Sequence, residues 1–254
     1  MPHNTTLAIN EIFGPTLQGE GPSVGSPAVF LRLAGCNLSC SWCDTPYSWD
    51  FSAESAYSAA QEVSKRPVAD VASELLEPLL DTHLLVVTGG EPLLQQEAVL
   101  SLLVELDRIA PTADWRAEIE TNGTIDPLPV LLGMTRIGFN VSPKQSHAGM
   151  DPAQRYNSTA LSTWGKASSF VGGGEDVSKV AFKVVCKSAE GVSEAVNLMH
   201  EYGVPLSQLM VMPEGRTSEE CHVSLLEIVP EAIALGVKVT PRLHLDIWGP
   251  ERGH

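Results

Sequence analysis

The sequence predicts an α/β fold built on a parallel sheet, arranged as a full or partial βα barrel. Short apolar runs recur along most of the chain, and stretches with helical periodicity lie between several of them. Apolar strands that alternate with helices indicate a parallel sheet buried on both faces. Polar, Gly-rich or Pro-rich segments follow several of the runs, and in such a barrel these loops meet at one mouth.

Most of the predicted strands are continuous apolar runs. They cover residues 28–33, 83–88, 116–120, 136–141, 180–185, 208–212 and 237–244. Helical periodicity is clearest over residues 70–80, 95–109, 191–202 and 218–235. We therefore expect βα units along most of the chain, in a single domain that covers residues 1–254.

Two segments do not follow the alternation of strands and helices. They are residues 46–67 and residues 146–174, the second of which closes with VGGGED. Neither has an apolar face that would favour burial, so we expect inserted loops of the kind that form lids.

Composition excludes several classes of protein. The chain has 254 residues, 43% of them hydrophobic and 19% charged, which is enough apolar material for a full core. Its formal net charge of −15 argues against binding to nucleic acid or an anionic membrane, because such binding needs clustered Lys and Arg. The N-terminal MPHNTTLAINEIF lacks the features of a signal peptide, and no run approaches the roughly 20 apolar residues of a membrane span. We expect a cytoplasmic protein with a small-molecule partner.

Polar segments follow the predicted strands at five places. They are AGCNLSC (34–40), GGEP (89–92), TNG (121–123), SPK (142–144) and PEG (213–215). Each alone could be an ordinary βα turn, where Gly, Pro, Asn and Asp are common. Because all five lie at the carboxyl ends of strands, we expect ligand-binding groups to gather there.

Three of the five cysteines, Cys36, Cys40 and Cys43, lie within eight residues. A disulfide framework does not fit, because the count is odd and no secretory signal is present. A structural zinc site usually has four protein ligands in two close pairs, and no second pair follows. Three thiolates suit a four-iron, four-sulfur cluster instead, since one iron corner would stay open for chemistry.

The zinc alternative requires a fourth ligand. The candidates are His83, His147, His200 and His222, and none has a spacing that singles it out. Cys186 and Cys221 stand alone in a predicted strand and a predicted helix, so we expect both to be buried as small hydrophobic residues.

The cysteine triad resembles the signature of the radical S-adenosylmethionine (SAM) enzymes. Its spacing is Cx3Cx2C with the aromatic Trp42 before the last cysteine, and GGEP resembles the superfamily's SAM-binding element. An ammonium group needs acceptors, and glycines let a backbone approach closely. The resemblance implies that SAM chelates the open iron and that its reductive cleavage gives a 5′-deoxyadenosyl radical.

Longer stretches resemble one family within that superfamily, the 7-carboxy-7-deazaguanine synthases. They are TLQGEG, FLRLAGCNLSCSWCDT, VVTGGEPLLQ, IETNGT, NVSPK and TPRLHLDIWGPERGH; residues 46–67 are the exception. The resemblance implies a modified, partial βα barrel with the active site at the carboxyl ends of its strands. It implies conversion of 6-carboxy-5,6,7,8-tetrahydropterin to 7-carboxy-7-deazaguanine with loss of ammonia, on the way to 7-deazapurines such as queuosine. It also implies bound Mg²⁺, a homodimer, and an electron donor such as flavodoxin or ferredoxin.

The same resemblance assigns site residues position by position, with the three cysteines as cluster ligands. The substrate-contacting residues would be Leu17, Gln18, Gly19, Glu20, Arg32, Thr88, His244 and His254. The SAM-contacting residues would be Trp42, Cys43, Asp44, Gly90, Glu91, Ser142, Pro143, Lys144, Met212, Pro213, Glu214 and Gly215. Thr45 would bind Mg²⁺, an ion that takes few protein ligands.

Several of these residues have an alternative interpretation. Arg32 in the apolar FLRLAG would bind a substrate carboxylate or form a structural salt bridge. Thr45 could instead be a helix N-cap. The family commonly has Gln-Pro where this chain has MPEG, so contacts at Met212 would come from backbone.

Two other functions remain open at this stage. A glycyl-radical-activating enzyme would share the cysteines and GGEP, but has no reason to combine LQGEG with Arg32. A non-catalytic zinc-binding module would hold the ion with the triad and a fourth ligand.

Overall fold

The computed structural model describes residues 5–169 and 179–254, which form one mixed sheet with helices packed against it. The strands are β1 Thr6–Leu17, β2 Pro27–Leu33, β3 Ser64–Pro67, β4 Leu84–Gly89, β5 Arg116–Thr121, β6 Ile137–Val141, β7 Val180–Cys186, β8 Leu209–Pro213 and β9 Lys238–Val239. The helices are α1 Ala59–Glu62, α2 Val68–Thr82, α3 Gln96–Ile109, α4 Pro129–Gly133, α5 Pro152–Arg155, α6 Ser158–Ser168, α7 Ala189–Glu201, α8 Ser218–Leu235 and α9 Leu243–Trp248.

The sheet has the strand order β3-β1-β2-β4-β5-β6-β7-β8-β9. Neighbours from β2 to β9 are parallel, whereas β1 runs antiparallel to β2 and β3 antiparallel to β1. Because β3 and β9 stand at opposite ends of this order and do not pair with each other, the sheet is an open, partial barrel. The predicted fold class is therefore confirmed.

The parallel strands are buried on both faces, as their composition predicts. Leu84, Leu85, Val86 and Val87 of β4 are all at most 1% exposed. The helices α2 and α3 cover one part of the outer surface with their apolar faces, and each contributes several fully buried Leu and Val side chains to the core. This packing holds the carboxyl ends of the strands in fixed relative positions.

The two segments predicted as plain inserted loops contain regular structure, so this expectation is wrong. Residues 46–67 include α1 and the edge strand β3, and Tyr47 is buried. The segment that starts at residue 146 contains α6, whose Trp164 is fully buried with its ring centre 5.1 Å from that of Phe139. The buried face of α6 has few large apolar side chains, and Ser and Thr residues separate them in the sequence. VGGGED lies outside the described residues.

The expected strand over residues 237–244 is also wrong in its second half. Only Lys238–Val239 pair with β8, and Leu243–Trp248 form α9. Pro241 lacks a backbone N–H and cannot continue a ladder, which explains the early end. The long strand β1 was not predicted at all. No helix among the described residues is long and apolar enough to cross a membrane.

Candidate active site

A cavity of about 360 Å³ lies at the carboxyl ends of the parallel strands. Each of the five polar segments that follow the strands contributes to its wall. Representative lining residues are Cys36, Gly90, Asn122, Ser142 and Glu214. The expectation that these loops meet at one mouth is therefore confirmed.

The cysteine triad lies on one side of this cavity. Cys36, Cys40 and Cys43 all line it, are partly exposed and form no disulfide. The backbone N–H of Leu38 donates to Cys36 Sγ at 3.4 Å, and Trp49 Nε1 donates to Cys43 Sγ at 3.3 Å. Hydrogen bonds to ligand sulfurs tune an iron–sulfur cluster. Three free thiols in one polar cradle fit the ligand set of a cluster with one open corner.

The thiol of Cys36 is held in its protonated form while no metal is bound. Burial is the largest cause, and it raises the pKa of Cys36 to about 11. Loading of iron must therefore displace a proton from this residue. Within the described residues, no group of three or more His, Cys, Asp or Glu side chains is arranged to hold a single metal ion.

The glycine pair of GGEP packs directly against the cysteine loop. A Cβ on Gly90 would stand 2.0 Å from the Gly35 carbonyl oxygen, and one on Gly89 would stand 2.1 Å from that of Leu33. The Gly90 N–H donates to Leu33 O at 3.1 Å and the Glu91 N–H to Gly35 O at 2.8 Å. Only glycine allows this approach, so the pair fixes the cysteine loop as well as lining the cavity.

Glu91 lies behind the cavity wall, where it is fully buried. Its carboxylate accepts hydrogen bonds from Leu93 N at 2.9 Å, Thr121 Oγ1 at 2.8 Å and Asn122 N at 2.6 Å. Burial raises the pKa of Glu91, and these donors oppose that effect. The carboxylate thus joins the loop after β4 to the loop after β5. Its predicted contact with SAM stays a prediction.

The residues predicted to contact SAM are only partly brought to the cavity. Lys144 Nζ donates to Ser142 Oγ at 2.9 Å and lies 5.7 Å from the Trp42 ring centre, with all three residues in the wall. The Trp42 Nε1 is buried without a hydrogen-bond partner among the described residues. A buried donor of this kind suits a polar ligand. Pro143 and Pro213 do not line the cavity.

Near the segment MPEG, Met212, Glu214 and Gly215 do line the cavity. Glu214 Oε2 lies 3.0 Å from His147 Nε2, and the His147 ring stacks on Trp42 with centres 5.5 Å apart. Burial lowers the pKa of His147, although the charge of Glu214 opposes the shift. This contact extends the wall that begins with Trp42.

Arg32 also lines the cavity. Its Nε donates to Glu11 Oε1 at 2.7 Å, and the guanidinium lies 5.3 Å from the Phe13 ring centre. The salt-bridge interpretation is thus correct for Nε, whereas Nη1 and Nη2 make no hydrogen bond among the described residues. A planar guanidinium with two such nitrogens at a cavity wall can bind a carboxylate.

Thr45 also faces the cavity. It is the N-cap residue of the short helical turn Pro46–Ser48, as the alternative interpretation predicts, but its side chain makes no capping bond. Its Oγ1 lies 3.8 Å from Cys43 Sγ. The hydroxyl is therefore available to a ligand beside the cysteine triad.

An ion network that the sequence analysis missed forms another part of the cavity wall. Lys183 Nζ contacts Glu20 Oε2 at 2.6 Å and Glu120 Oε1 at 2.8 Å. Arg242 Nε contacts the other Glu20 oxygen at 2.8 Å, and its Nη2 pairs with Asp44. The sequence does indicate a buried charge that needs partners, because Lys183 interrupts the apolar VAFKVVC just as Arg32 interrupts FLRLAG.

Mutual compensation keeps this network ionised. Burial alone would raise the pKa of Glu20, but the charges of Lys183 and Arg242 outweigh it and hold that pKa well below its usual value. Burial alone would lower the pKa of Lys183, but Glu120 and Glu20 hold it well above its usual value. Asp44, predicted to contact SAM, is engaged by Arg242 in this arrangement.

The remaining predicted substrate residues are gathered around this network. Thr88 Oγ1 donates to Glu120 Oε2 at 2.7 Å. A Cβ on Gly19 would stand 2.2 Å from His244 Nδ1, so glycine is needed for His244 to approach the first loop. His254 lines the cavity and stacks on Trp248, with ring centres 5.2 Å apart. Leu17 and Gln18 line it too.

The comparisons with known proteins agree with this geometry. Residues 17–126 match the family described as 4Fe-4S single cluster domain. The 7-carboxy-7-deazaguanine synthase of Pyrobaculum aerophilum is 36% identical over 248 residues, which are 97% of each chain. That of Hyperthermus butylicus is 32% identical over 97% of this chain and 95% of the relative. The crystal structure of QueE from Escherichia coli shares the fold, with a TM-score of 0.62 at 21% identity over 94% of this chain and 95% of that one.

The open parallel barrel, the triad at its mouth and these matches define a radical SAM enzyme with a four-iron, four-sulfur cluster. The extent and identity of the full-length matches narrow this class further. The chain belongs to the 7-carboxy-7-deazaguanine synthase family.

Proposed function

We propose that the enzyme converts 6-carboxy-5,6,7,8-tetrahydropterin to 7-carboxy-7-deazaguanine with loss of ammonia. The observation that carries the proposal is that the cysteine triad and Arg32 line one cavity. A substrate held between them would have its carboxylate at the guanidinium and its ring near the cofactor. The relatives' names support the same reaction.

When bound, the cluster and SAM would supply radical chemistry able to remove a hydrogen atom from C6 of the pterin. The chain's own residues would bind and orient the substrate and exclude water from the cavity. Arg32 would grip the substrate carboxylate through Nη1 and Nη2. Gln18 offers an amide whose Oε1 accepts from the Glu20 N–H at 3.2 Å and whose Nε2 lies 3.5 Å from Glu120 Oε1, beside the space for the pterin edge. The triad, Cys36, Cys40 and Cys43, would hold the cluster.

The ion network would act by positioning. Glu20, Glu120 and Lys183 already satisfy one another, so they can present fixed dipoles and charges to the pterin without reorganising. On the SAM side, Trp42, Lys144 and the backbone of Gly90 would meet the cofactor. For Asp44, Glu91, Pro143 and Pro213, the proposed contact with SAM rests only on the family resemblance.

The assay is anaerobic incubation of the reconstituted enzyme with SAM, a reductant, Mg²⁺ and the carboxylated tetrahydropterin, followed by mass spectrometry. We expect a product lighter than the substrate by ammonia. A glycyl-radical-activating enzyme would cleave SAM without consuming the pterin, and that result would refute the proposal.

We further propose that Thr45 Oγ1 is a Mg²⁺ ligand near the substrate carboxylate. The support is that the Thr45 hydroxyl lies in the cavity wall and makes no capping bond, and that Mg²⁺ prefers oxygen ligands. Thr45→Ala should raise the Mg²⁺ concentration needed for turnover while leaving cluster content unchanged. An unchanged Mg²⁺ curve would remove this residue from the metal site.

A single domain, a homodimer and a small one-electron carrier such as flavodoxin or ferredoxin complete the proposal. The dimer predicts twice the monomer mass in light scattering, and a monomer at working concentration would refute it. If such a carrier is the electron donor, the enzyme should turn over without a chemical reductant when reduced flavodoxin or ferredoxin is supplied.

A further inference from the structure

The segment 46–67, where the family resemblance lapses, contacts residues 249–254 at the edge of the cavity. The guanidinium of Arg252 lies 3.6 Å from the Tyr47 ring centre. Its Nη2 also donates to Glu62 Oε2 at 2.7 Å. Two residues of one segment therefore hold a single side chain of the other, by a cation–π contact and an ion pair.

Both holding residues are fixed from behind by the sheet. The Asn10 Nδ2 on β1 donates to the Glu62 carbonyl at 2.9 Å and lies 3.3 Å from the Tyr47 carbonyl. The edge strand β3 begins two residues after Glu62, and its Ser64 pairs with Ile9. Tyr47 and Glu62 thus belong to the rigid part of the molecule, in contrast to an unanchored loop.

The segment they hold forms part of the cavity wall. Residues 249–254 all line the cavity, and the Tyr47 ring that contacts Arg252 lies 5.8 Å from the guanidinium of Arg32. One aromatic ring is therefore shared by the proposed carboxylate ligand and by the covering segment. Displacement of the segment would open the cavity beside Arg32.

We propose that Tyr47 and Glu62 are positioning residues that latch residues 249–254 across the cavity by gripping Arg252. The latch keeps an anionic, carboxylated substrate enclosed beside Arg32 and keeps water from the reaction, which gives the segment 46–67 its function. The identity of the substrate rests on the proposed function, but the latch itself does not. Because the Arg252 and Glu62 side chains are partly exposed, the ion pair is weak enough to open for product release.

The test compares Glu62→Gln with a matched control, Glu74→Gln. Glu74 forms an ion pair with Arg66 of β3 in which the carboxylate is more exposed than that of Glu62, and it does not touch residues 249–254. In Glu62→Gln we expect backbone hydrogen exchange over residues 249–254 to accelerate by roughly twofold to fivefold, the range of an exposed ion pair. Glu74→Gln should leave it unchanged.

Turnover supplies a second readout. In Glu62→Gln the KM for the pterin should rise by a similar factor with kcat nearly constant, and more 5′-deoxyadenosine should form per product. The double variant Glu62→Arg with Arg252→Glu restores opposite charges but loses the cation–π contact with Tyr47, so exchange and KM should each recover in part. A generally destabilised protein would not recover.

Unchanged exchange in Glu62→Gln, or an equal effect of Glu74→Gln, would overturn the latch. Hydrogen exchange is measured without substrate, so it tests the latch even if the enzyme does not convert the pterin. Conversely, normal turnover of the pterin with unchanged exchange would refute the latch and leave the proposed function standing.

Discussion

Charged side chains inside the barrel decide what the cavity can bind. Arg32 and Lys183 each sit in an apolar strand, where an unpaired charge would be strongly unfavourable. Lys183 is neutralised by Glu20 and Glu120, whereas Arg32 shares only its Nε with Glu11. The difference leaves one guanidinium edge able to take an external anion. That is the feature expected of a site for a carboxylated substrate.

The cysteine assignment predicts a clear difference between two sets of variants. Cys36→Ala, Cys40→Ala and Cys43→Ala should each abolish the cluster and SAM cleavage, because all three thiols line the cavity. Cys186→Ala and Cys221→Ala should retain both, since these cysteines are buried elsewhere. Iron and sulfide content after anaerobic reconstitution measures the result. Full cluster content in any triad variant would overturn the assignment.

The role of Arg32 predicts a selective loss of substrate affinity. Arg32→Lys keeps the charge but cannot offer two parallel N–H donors, so pterin binding should weaken by about 1 to 3 kcal/mol. SAM binding and cluster content should barely change. Binding of both ligands can be measured by calorimetry in the absence of reductant. Equal affinity for the pterin would remove Arg32 from the carboxylate site.

At this scale the motif residues could be predicted and their partners could not. The cysteines and Arg32 stand out locally, because their chemistry conflicts with the residues beside them. The network of Glu20 with Lys183 and Arg242 depends on positions 163 and 222 residues apart, so its pairing needs the fold. Glu91 stands beside the glycines in sequence, yet its side chain turns away from the cavity and into the protein.

Among the elements, the cysteine loop and the loop after β4 behave as one unit. The Gly90 N–H and the Glu91 N–H bond to the backbone around Gly35, and the glycines leave no space between the two loops. The proposed cluster ligand Cys36 and the Gly90 backbone proposed to contact SAM are thereby held at a fixed separation.

This packing predicts that Gly90→Ala disturbs the cluster. The new Cβ would meet the Gly35 carbonyl at 2.0 Å, and backbone on both sides must shift. We expect a stability loss of about 1 to 3 kcal/mol together with reduced cluster content. Gly133→Ala is the control, because no atom lies within 4 Å of its added Cβ. Denaturant unfolding and iron analysis compare them; equal behaviour of the two variants would contradict the coupling.

Strands and long helices were predictable where their pattern was strong. Six of the seven predicted strands and all four helices form within about two residues of the expected bounds. The helix α6 was missed because its buried face uses Ala160, Leu161 and Trp164 among many Ser and Thr residues. The strand β1 was missed because only one side of its first half is buried, which gives a weaker signal than a continuous apolar run.

At the scale of the whole molecule, a change of pH alters the free energy of unfolding through both the acidic surface and the buried ion network. The two effects have opposite signs. The folded-state pKa of Glu20 is depressed below its ordinary value of 4.5. The contribution of ionised Glu20 to the free energy of unfolding is therefore complete above about pH 4.5. It is lost as the pH falls from there through the lowered pKa of the folded state. Protonation would leave Lys183 and Arg242 with less compensating charge.

The corresponding prediction compares Glu20→Gln with the wild type across this range. At pH 7 the variant should be less stable by on the order of 3 kcal/mol, because it removes one partner of a buried ion pair. The difference should narrow as the pH falls below about 4.5, since the Glu20 carboxylate is then protonated in part in the unfolded wild type but stays ionised in the folded one. Urea unfolding at several pH values measures it. A constant difference would contradict the ionised state of Glu20.

The same network has a consequence for the order of folding. Glu20 meets Arg242 only after a loop of 222 residues has closed, whereas the cysteine loop meets Gly90 over a far shorter stretch. Contacts between distant residues form late, because the entropy of closing the loop must be overcome first. During synthesis the cysteine loop can therefore assemble while residues 240–246 are still being made. The part of the cavity wall that Arg242 and residues 249–254 form is therefore completed last.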